Sequence, residues 1–265
     1  MDTELFLEHV LCNEGVYCLF ASNASTDKIT QKFFDTKIDL IKTAYELDGK
    51  GWDVYFALSS FKTSKSRTAA NVAKIKSFFL DLDCGPSKDY ATQKDALLAL
   101  KDFCIATGMP KPTTINSGRG VHVYWPLKEE VLPEEWLPVA RKFKDAVAKH
   151  SLYADPAVTS DTARVLRVPL THNHKTDPPT PVVPIGEYKS TPVDFEVFSK
   201  TFGVDQTPIP KIQGPANNAV MDALLGNRES LFIDIVKKTS AGNGCGQLNL
   251  ILTDQENTSE PLWRA

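Results

Sequence analysis

Phe78-Phe79-Leu80-Asp81-Leu82-Asp83-Cys84-Gly85 is the stretch whose reading decides the rest. An apolar run carries two carboxylates two residues apart and breaks at Cys84-Gly85-Pro86. With the strand period of two, Asp81 and Asp83 project from one face together with Phe79, while Phe78, Leu80 and Leu82 project from the other and can enter a core. Adjacent carboxylates repel unless a cation lies between them. Oxygen ligands at a strand end suit hard divalent ions such as Mg²⁺ or Mn²⁺. The plainer reading is a pair of solvated aspartates, or a cap on the next turn.

Working outward, the order of elements becomes informative. The sequence predicts a strand at Lys76–Asp83, a helix at 93–107, a short strand at 112–115, a turn at Ser117-Gly118-Arg119-Gly120 and an alternating strand at 121–127. A long amphipathic helix follows over 133–152, with Leu132, Trp136, Val139, Phe143 and Val147 spaced by three or four. Val165–Val168 reads as the next strand and 181–188 as another. This β-α-β-β-α-β order is the split arrangement of ferredoxin-like and RNA-recognition-motif-like (RRM-like) sheets. The predicted class is therefore α/β (α+β), an RRM-like core with helices on one face and an open face for ligands. On that open face Asp81, Asp83, His122 and Tyr124 are expected together.

Before this core lie a helix (2–11, with Leu5, Phe6 and Val10 on one side), a strand (15–21), a turn (23–27), a helix (37–47) and a strand (53–61). They form an N-terminal α/β module. Lys62, Lys65 and Arg67 mark a basic loop that reads equally as solvated or as strand-contacting. After the core, 193–202 reads as a helix and 203–215, with three prolines, as a linker. Residues 219–225 and 228–238, the second capped by Asn227, read as a small helical C-terminal segment, 216–265. The end at Trp263-Arg264-Ala265 carries no terminating signal, which suggests that the natural chain continues.

The bulk properties exclude some classes. The 265 residues, 42% hydrophobic and 24% charged, suit a soluble globular protein. A net charge of −3 does not advertise nucleic-acid binding, although bound metal can supply local positive charge. The five scattered cysteines form no zinc or redox motif and fit reduced thiols in a cytosolic setting. No apolar run has membrane-spanning length and the acidic N-terminus is unlike a signal peptide.

Two further constellations carry chemistry. In Ser117-Gly118-Arg119-Gly120-Val121-His122 the glycines let backbone N–H groups approach an anion, Ser117 and Arg119 add donors, and His122 follows on the open face. From Asp155 to Lys175, Asp155 could complete a set of three carboxylates, with Asp161 as its competitor. Arg167 and Lys175 could hold a triphosphate, Arg by a bidentate fork and Lys as a point charge. Arg164 could pair with Asp161. His172 and His174 could be a metal pair, but with no third ligand nearby a surface turn is the expectation.

These residues, in this order, resemble the catalytic domain of the archaeo-eukaryotic primase (AEP) superfamily, in particular phage and plasmid primase-polymerases. That family carries a strand ending in Asp-x-Asp, a Ser-x-Gly-x-His-like turn, and a later acidic residue followed by basic positions. The resemblance covers roughly residues 15–190, within an expected catalytic domain of 1–202. It implies that Asp81, Asp83 and Asp155 bind two divalent ions, Mg²⁺ or Mn²⁺. It implies that Ser117, Gly118, Arg119 and His122, assisted by Arg167 and Lys175, hold the incoming nucleotide. The implied activity is template-directed nucleotidyl transfer, as DNA primase and polymerase, on a single-stranded DNA template with NTP or dNTP. A replicative helicase domain or protein is an optional partner, and a bacterial or archaeal cytoplasm the implied setting. Two departures stand out: Pro169 is followed by Leu170 where many relatives have Gly, and the cysteines offer no zinc-binding loop. The rival readings are a metal-dependent nuclease and a non-catalytic RRM-like single-strand-binding module.

Overall fold

The computed structural model of the chain describes residues 3–186 and 190–203. In chain order its elements are α1 (Thr3–Val10), β1 (Tyr17–Asn23), β2 (Lys28–Phe34), α2 (Lys37–Asp48), β3 (Asp53–Ala57), β4 (Ser59–Phe61) and β5 (Val72–Asp83). There follow α3 (Gln93–Thr107), β6 (Thr113–Asn116), β7 (Gly120–Val131), α4 (Pro133–Lys149), α5 (Pro156–Thr159), β8 (Val165–Arg167), β9 (His172–Asn173), β10 (Thr180–Pro181), β11 (Val183–Pro184) and α6 (Phe195–Thr201). The fold is α+β. The expected linker at 203–215 and the helices at 219–225 and 228–238 fall beyond the described residues, apart from Gly203.

Local chemistry sets the helix ends. Thr36 Oγ1 accepts from the Asp39 N–H to start α2. Thr92 and Asp95 form a reciprocal capping box on α3, and Gly108, at φ +69°, closes it in the left-handed region. The buried side of α4 is Trp136, Val139, Ala140, Phe143 and Val147, as its spacing predicts, whereas Leu132 is its exposed N-cap. In α3 the buried residues are Ala96, Leu100 and Phe103; Leu97 and Cys104 sit at the margin. In α1, Leu5 faces solvent and Leu7 joins Phe6 and Val10 inside.

Two antiparallel sheets organise the chain. One runs β11-β6-β7-β5-β4, the other β2-β1-β3-β8. The stretch 53–61, expected as one strand, divides at Leu58, whose N–H donates to the Arg164 carbonyl at 3.0 Å. Its first half pairs with β1 and β8, and its second half with β5. This division changes the RRM-like order. The expected fourth strand, at Val165, leaves the β5 sheet and pairs with β3, and β4 takes the place beside β5. The β2 strand, with a mostly exposed burial pattern, was not among the strands expected from the sequence.

The β5–β7 register places Asp81 opposite His122, Leu80 opposite Val123, Phe79 opposite Tyr124 and Phe78 opposite Trp125. On the helix side, Phe78 stacks on Phe198 of α6 with centroids 3.8 Å apart, and Trp125 meets Phe143 of α4 edge-on. The opposite face is not open along its length, contrary to expectation. Tyr124 is fully buried there, edge-on to Phe6 of α1 at 5.2 Å and stacked on Phe56 of β3 at 6.5 Å. A fully buried ring cannot stack on a base, so Tyr124 is a packing residue. The Asp81/Asp83 end of the face reaches solvent, where Asp83 is exposed. Among the described residues no helix is long and apolar enough to cross a membrane.

Candidate active site

Where the two sheets part, beyond Tyr124, lies a cleft of about 1170 Å³. Asp81, Asp83 and His122 from β5 and β7 line it, with Ser117, Gly118 and Arg119 from the β6–β7 turn and Arg167, Asn173 and Lys175 from β8 and beyond. The three constellations picked out in the sequence thus meet at one place, with Asp155 beside it.

The acidic edge is strained electrostatically. Burial, then Asp83 and Asp155, push the Asp81 carboxyl up from 3.8 to about 7, against Arg164 and Arg167. The Asp155 backbone N–H donates to the Asp81 carbonyl at 2.9 Å, which docks the start of α5 against β5. The side chains of Asp83 and Asp155 have already recruited cations. Lys88 Nζ lies 2.6 Å from Asp83 Oδ2, and Arg164 NH2 lies 3.3 Å from Asp155 Oδ2. Asp155 Oδ1 also caps α5 by accepting from the Ala157 N–H. Asp161 lines the cleft too, but its carboxylate accepts from the Ala163 N–H, and Arg164 turns to Asp155 rather than to Asp161. Hard oxygens that hold a proton, an ammonium and a guanidinium are of the donor type that takes a divalent ion, although the three carboxylates do not bring their oxygens within 4.8 Å of one another.

His122 is buried, with Nε2 3.8 Å from Asp81 Oδ1 and Nδ1 without a hydrogen-bond partner in the structure. Burial, reinforced by Arg167, pushes its pKa down to about 3. At neutral pH it is therefore an uncharged imidazole that can donate one hydrogen bond.

The glycine turn works differently from expectation. The Ser117 N–H donates to the Gly120 carbonyl at 3.0 Å and the Gly118 N–H to Asn116 Oδ1 at 2.7 Å. These amides are committed within the turn, and the glycines serve close approach instead. A Cβ on Gly120 would sit 2.3 Å from the Leu82 carbonyl, and one on Gly118, at φ +93°, 2.7 Å from Asn173 Cβ. The exposed Arg119 side chain adds a donor on this side of the cleft.

The basic rim is built from a buried network. Arg167 pairs with Asp53, donates to Asn173 Oδ1 at 2.8 Å and lies 4.8 Å over the Tyr55 ring. Asn173 Nδ2 donates to the Ser117 carbonyl at 3.0 Å, and Arg119 NH2 to the Lys175 carbonyl at 2.9 Å. Asn173 therefore ties the turn to the Arg167 stretch. Sequence reasoning missed it, although it lies only two residues before Lys175. Arg67, from the basic loop, also reaches the cleft and donates to the Ala163 carbonyl. Leu170, the residue after Pro169, sits at φ +63°. The backbone makes a left-handed turn there despite the side chain.

His172 and His174 do have a third partner. Asp48, the last residue of α2, lies 3.0 Å from His172 Nδ1 and 2.9 Å from His174 Nε2. The expected surface turn is corrected to a three-residue cluster, brought together across 124 positions of sequence that no local pattern links.

No family model and no curated protein matches the sequence. Solved structures do match. The AEP domain of the cyanophage S-2L primase-polymerase superposes with a TM-score of 0.56 at 15% identity, over 75% of this chain and 95% of that one. Primase RepB′ superposes with a TM-score of 0.53 at 12% identity, over 97% of this chain and 77% of that one. At such low identity the similarity speaks for architecture, and in architecture the chain has the fold of the AEP-type primase-polymerase domain.

Proposed function

We propose that this chain is a template-directed nucleotidyltransferase of the primase-polymerase type, extending or initiating strands on single-stranded DNA from NTP or dNTP. The observation that carries the reading is one cleft with an acidic edge at Asp81 and Asp83 and a basic rim at Arg119, Arg167 and Lys175. A nuclease needs the first but not the second. An RRM-like binding module would carry aromatics where this face has carboxylates, and its candidate, Tyr124, is buried.

In this reading Asp81, Asp83 and Asp155 hold Mg²⁺ or Mn²⁺. When bound, the ions supply Lewis-acid stabilisation of charge developing on the transferring phosphate. The protein's own part is positioning. Lys175 and Arg119 are exposed and hold the triphosphate as flexible cations, and Arg167, fixed by Asp53 and Asn173, offers a rigid guanidinium edge. Neutral His122 donates to a phosphate oxygen without adding charge beside Asp81. Lys88 and Arg164, paired here with Asp83 and Asp155, would yield those carboxylates to a divalent ion.

The test is incorporation of labelled nucleotide on a primed and an unprimed single-stranded template with Mg²⁺ or Mn²⁺. Template-dependent products that disappear in Asp81→Asn support the proposal. Degradation of DNA without added nucleotide, or metal-independent strand binding with no incorporation, would replace it with one of the rivals.

A further inference from the structure

We propose that Asp48, His172 and His174 form a separate metal site, taking a transition ion of the Zn²⁺ class, that pins the strand carrying Asn173 beneath the cleft. Among the described residues this is a group of His, Cys, Asp or Glu whose ligand atoms all lie within 4.8 Å of one another. The three aspartates of the cleft edge do not form such a group. Two imidazole nitrogens and one carboxylate favour a borderline-soft ion, whereas the cleft edge offers oxygen alone.

The three side chains are close enough to share an ion. His172 Nδ1 lies 3.0 Å from Asp48 Oδ2 and His174 Nε2 2.9 Å from Asp48 Oδ1, hydrogen-bond distances that would open by a few tenths of an ångström to the edge of about 3.3–3.4 Å of a tetrahedron with bonds of about 2.0–2.1 Å. The His172 backbone N–H donates to Asp48 Oδ1 at 2.8 Å, and so orients the carboxylate from outside, as outer-sphere partners do. The His174 backbone N–H is likewise held by Asp53 Oδ1 at 3.0 Å. Three protein ligands leave a further position open, and His172, with its side chain 45% exposed, faces solvent.

The segment that carries the histidines gives the site a consequence. The side chains of His172 and His174 meet Asp48, whereas that of Asn173 meets Arg167 and the Ser117 carbonyl. Asn173 accepts from Arg167 NH2 and from the Lys175 N–H, and donates to the Ser117 carbonyl. An ion bound by the histidines would fix the residue that joins the two halves of the basic rim. The inference concerns residues outside the cleft and does not depend on the proposed catalysis.

The test is calorimetric titration of Zn²⁺ into the full chain carrying Asp81→Asn and Asp83→Asn, in excess Mg²⁺, so that the cleft edge cannot contribute. The same protein is titrated with Co²⁺ and its visible absorption recorded. The expected result is one saturable ion per chain, ligand-field bands with Co²⁺, and at least about tenfold weaker binding after His174→Ala or His172→Gln, since loss of even an outer-shell partner costs about that much. Absence of saturable binding, or undiminished binding in both histidine variants, overturns the proposal. Should His174→Ala fail to fold, the half-exposed His172→Gln decides alone.

Discussion

Asp81 and His122 face each other across β5 and β7, with Oδ1 and Nε2 3.8 Å apart, and their titrations are displaced in opposite directions. The carboxyl is pushed up to about 7 and the imidazole down to about 3. Both shifts favour the neutral form, since burial penalises charge of either sign. The pair is thus not a salt bridge at neutral pH. It is a desolvated corner that becomes charged when a cation stabilises the aspartate.

This corner gives the metal-free protein a distinctive pH dependence. A carboxyl whose folded pKa exceeds its unfolded one binds its proton more tightly in the folded state. The stability it contributes is full below pH 3.8 and is lost as pH rises through about 7. Metal-free wild type should therefore lose stability over that window relative to Asp81→Asn, which cannot ionise. Mg²⁺ should stabilise wild type more at about pH 8 than at about pH 5.5, because the ion competes with the proton. Denaturant melts at several pH values check this. Parallel curves for wild type and Asp81→Asn would show that Asp81 titrates normally.

Removing either carboxylate of the edge should separate activity from stability. Asp81→Ala and Asp83→Ala should each lower nucleotide incorporation by at least about 10²-fold, the scale for one electrostatic group at a reacting centre. The fold should remain, because Asp83 is exposed and Asp81 is held against its own charge. Asp81→Ala should melt at or above the metal-free wild type, as expected where a site sacrifices stability for function. Near wild-type primer extension would remove the proposed edge from the mechanism.

His122→Ala should weaken nucleotide binding more than template binding. The imidazole sits beside Asp81 with Nδ1 unpartnered, next to the turn that carries Arg119. A single lost hydrogen bond to a charged phosphate corresponds to roughly 1.5–3 kcal/mol, or about 10- to 100-fold in nucleotide Kd. Fluorescence titrations with nucleotide and with single-stranded DNA measure the two affinities separately. Lost template affinity with an unchanged nucleotide Kd would reverse the assignment.

Arg167 should prove as structural as it is functional. Its partner Asp53 is 1% exposed, so Arg167→Leu leaves a buried carboxylate without its cation. The expected loss is about 3–5 kcal/mol of stability, much of it recovered in Arg167→Leu with Asp53→Leu, because apolar replacement of a whole buried pair is often neutral. A loss below about 1 kcal/mol for the single variant would mean that Asp53 finds other partners.

The sequence disclosed most of this site because its signals are local. Asp81 and Asp83 are fixed on one face by strand period alone, α3 is bounded by its caps, and α4 opens at Pro133 and follows its apolar stripe. What stayed hidden depends on pairing between distant segments. Nothing near Val165 says that it pairs with β3 rather than β5, and nothing near Tyr124 says that α1 will cover it. Asp48 lies at a helix end far from His172, so the cluster was invisible to spacing. The role of the glycine turn was misread for a related reason: which carbonyl or side chain meets each amide is decided by packing against Leu82 and Asn173, not by the turn's own residues.

Leu170 offers a test of how the primase-like backbone tolerates this sequence. It sits at φ +63°, a region that costs a side-chain-bearing residue roughly 1–2 kcal/mol, and its side chain is 40% exposed, so burial offsets little of that strain. Its N–H donates to the Val182 carbonyl at 2.8 Å, and the Val182 N–H to the Thr171 carbonyl, which holds the turn in place. Leu170→Gly should therefore be neutral or stabilising by up to about 1 kcal/mol, after the added chain entropy of glycine in the unfolded state is subtracted. Nucleotide affinity should stay within about twofold, since the backbone already follows the path a glycine would take. Leu170→Pro should be destabilising, because it removes the N–H and demands negative φ. Thermal melts of the two variants decide the matter: a clear loss of stability in Leu170→Gly would mean that the leucine side chain has a packing role that outweighs its backbone strain.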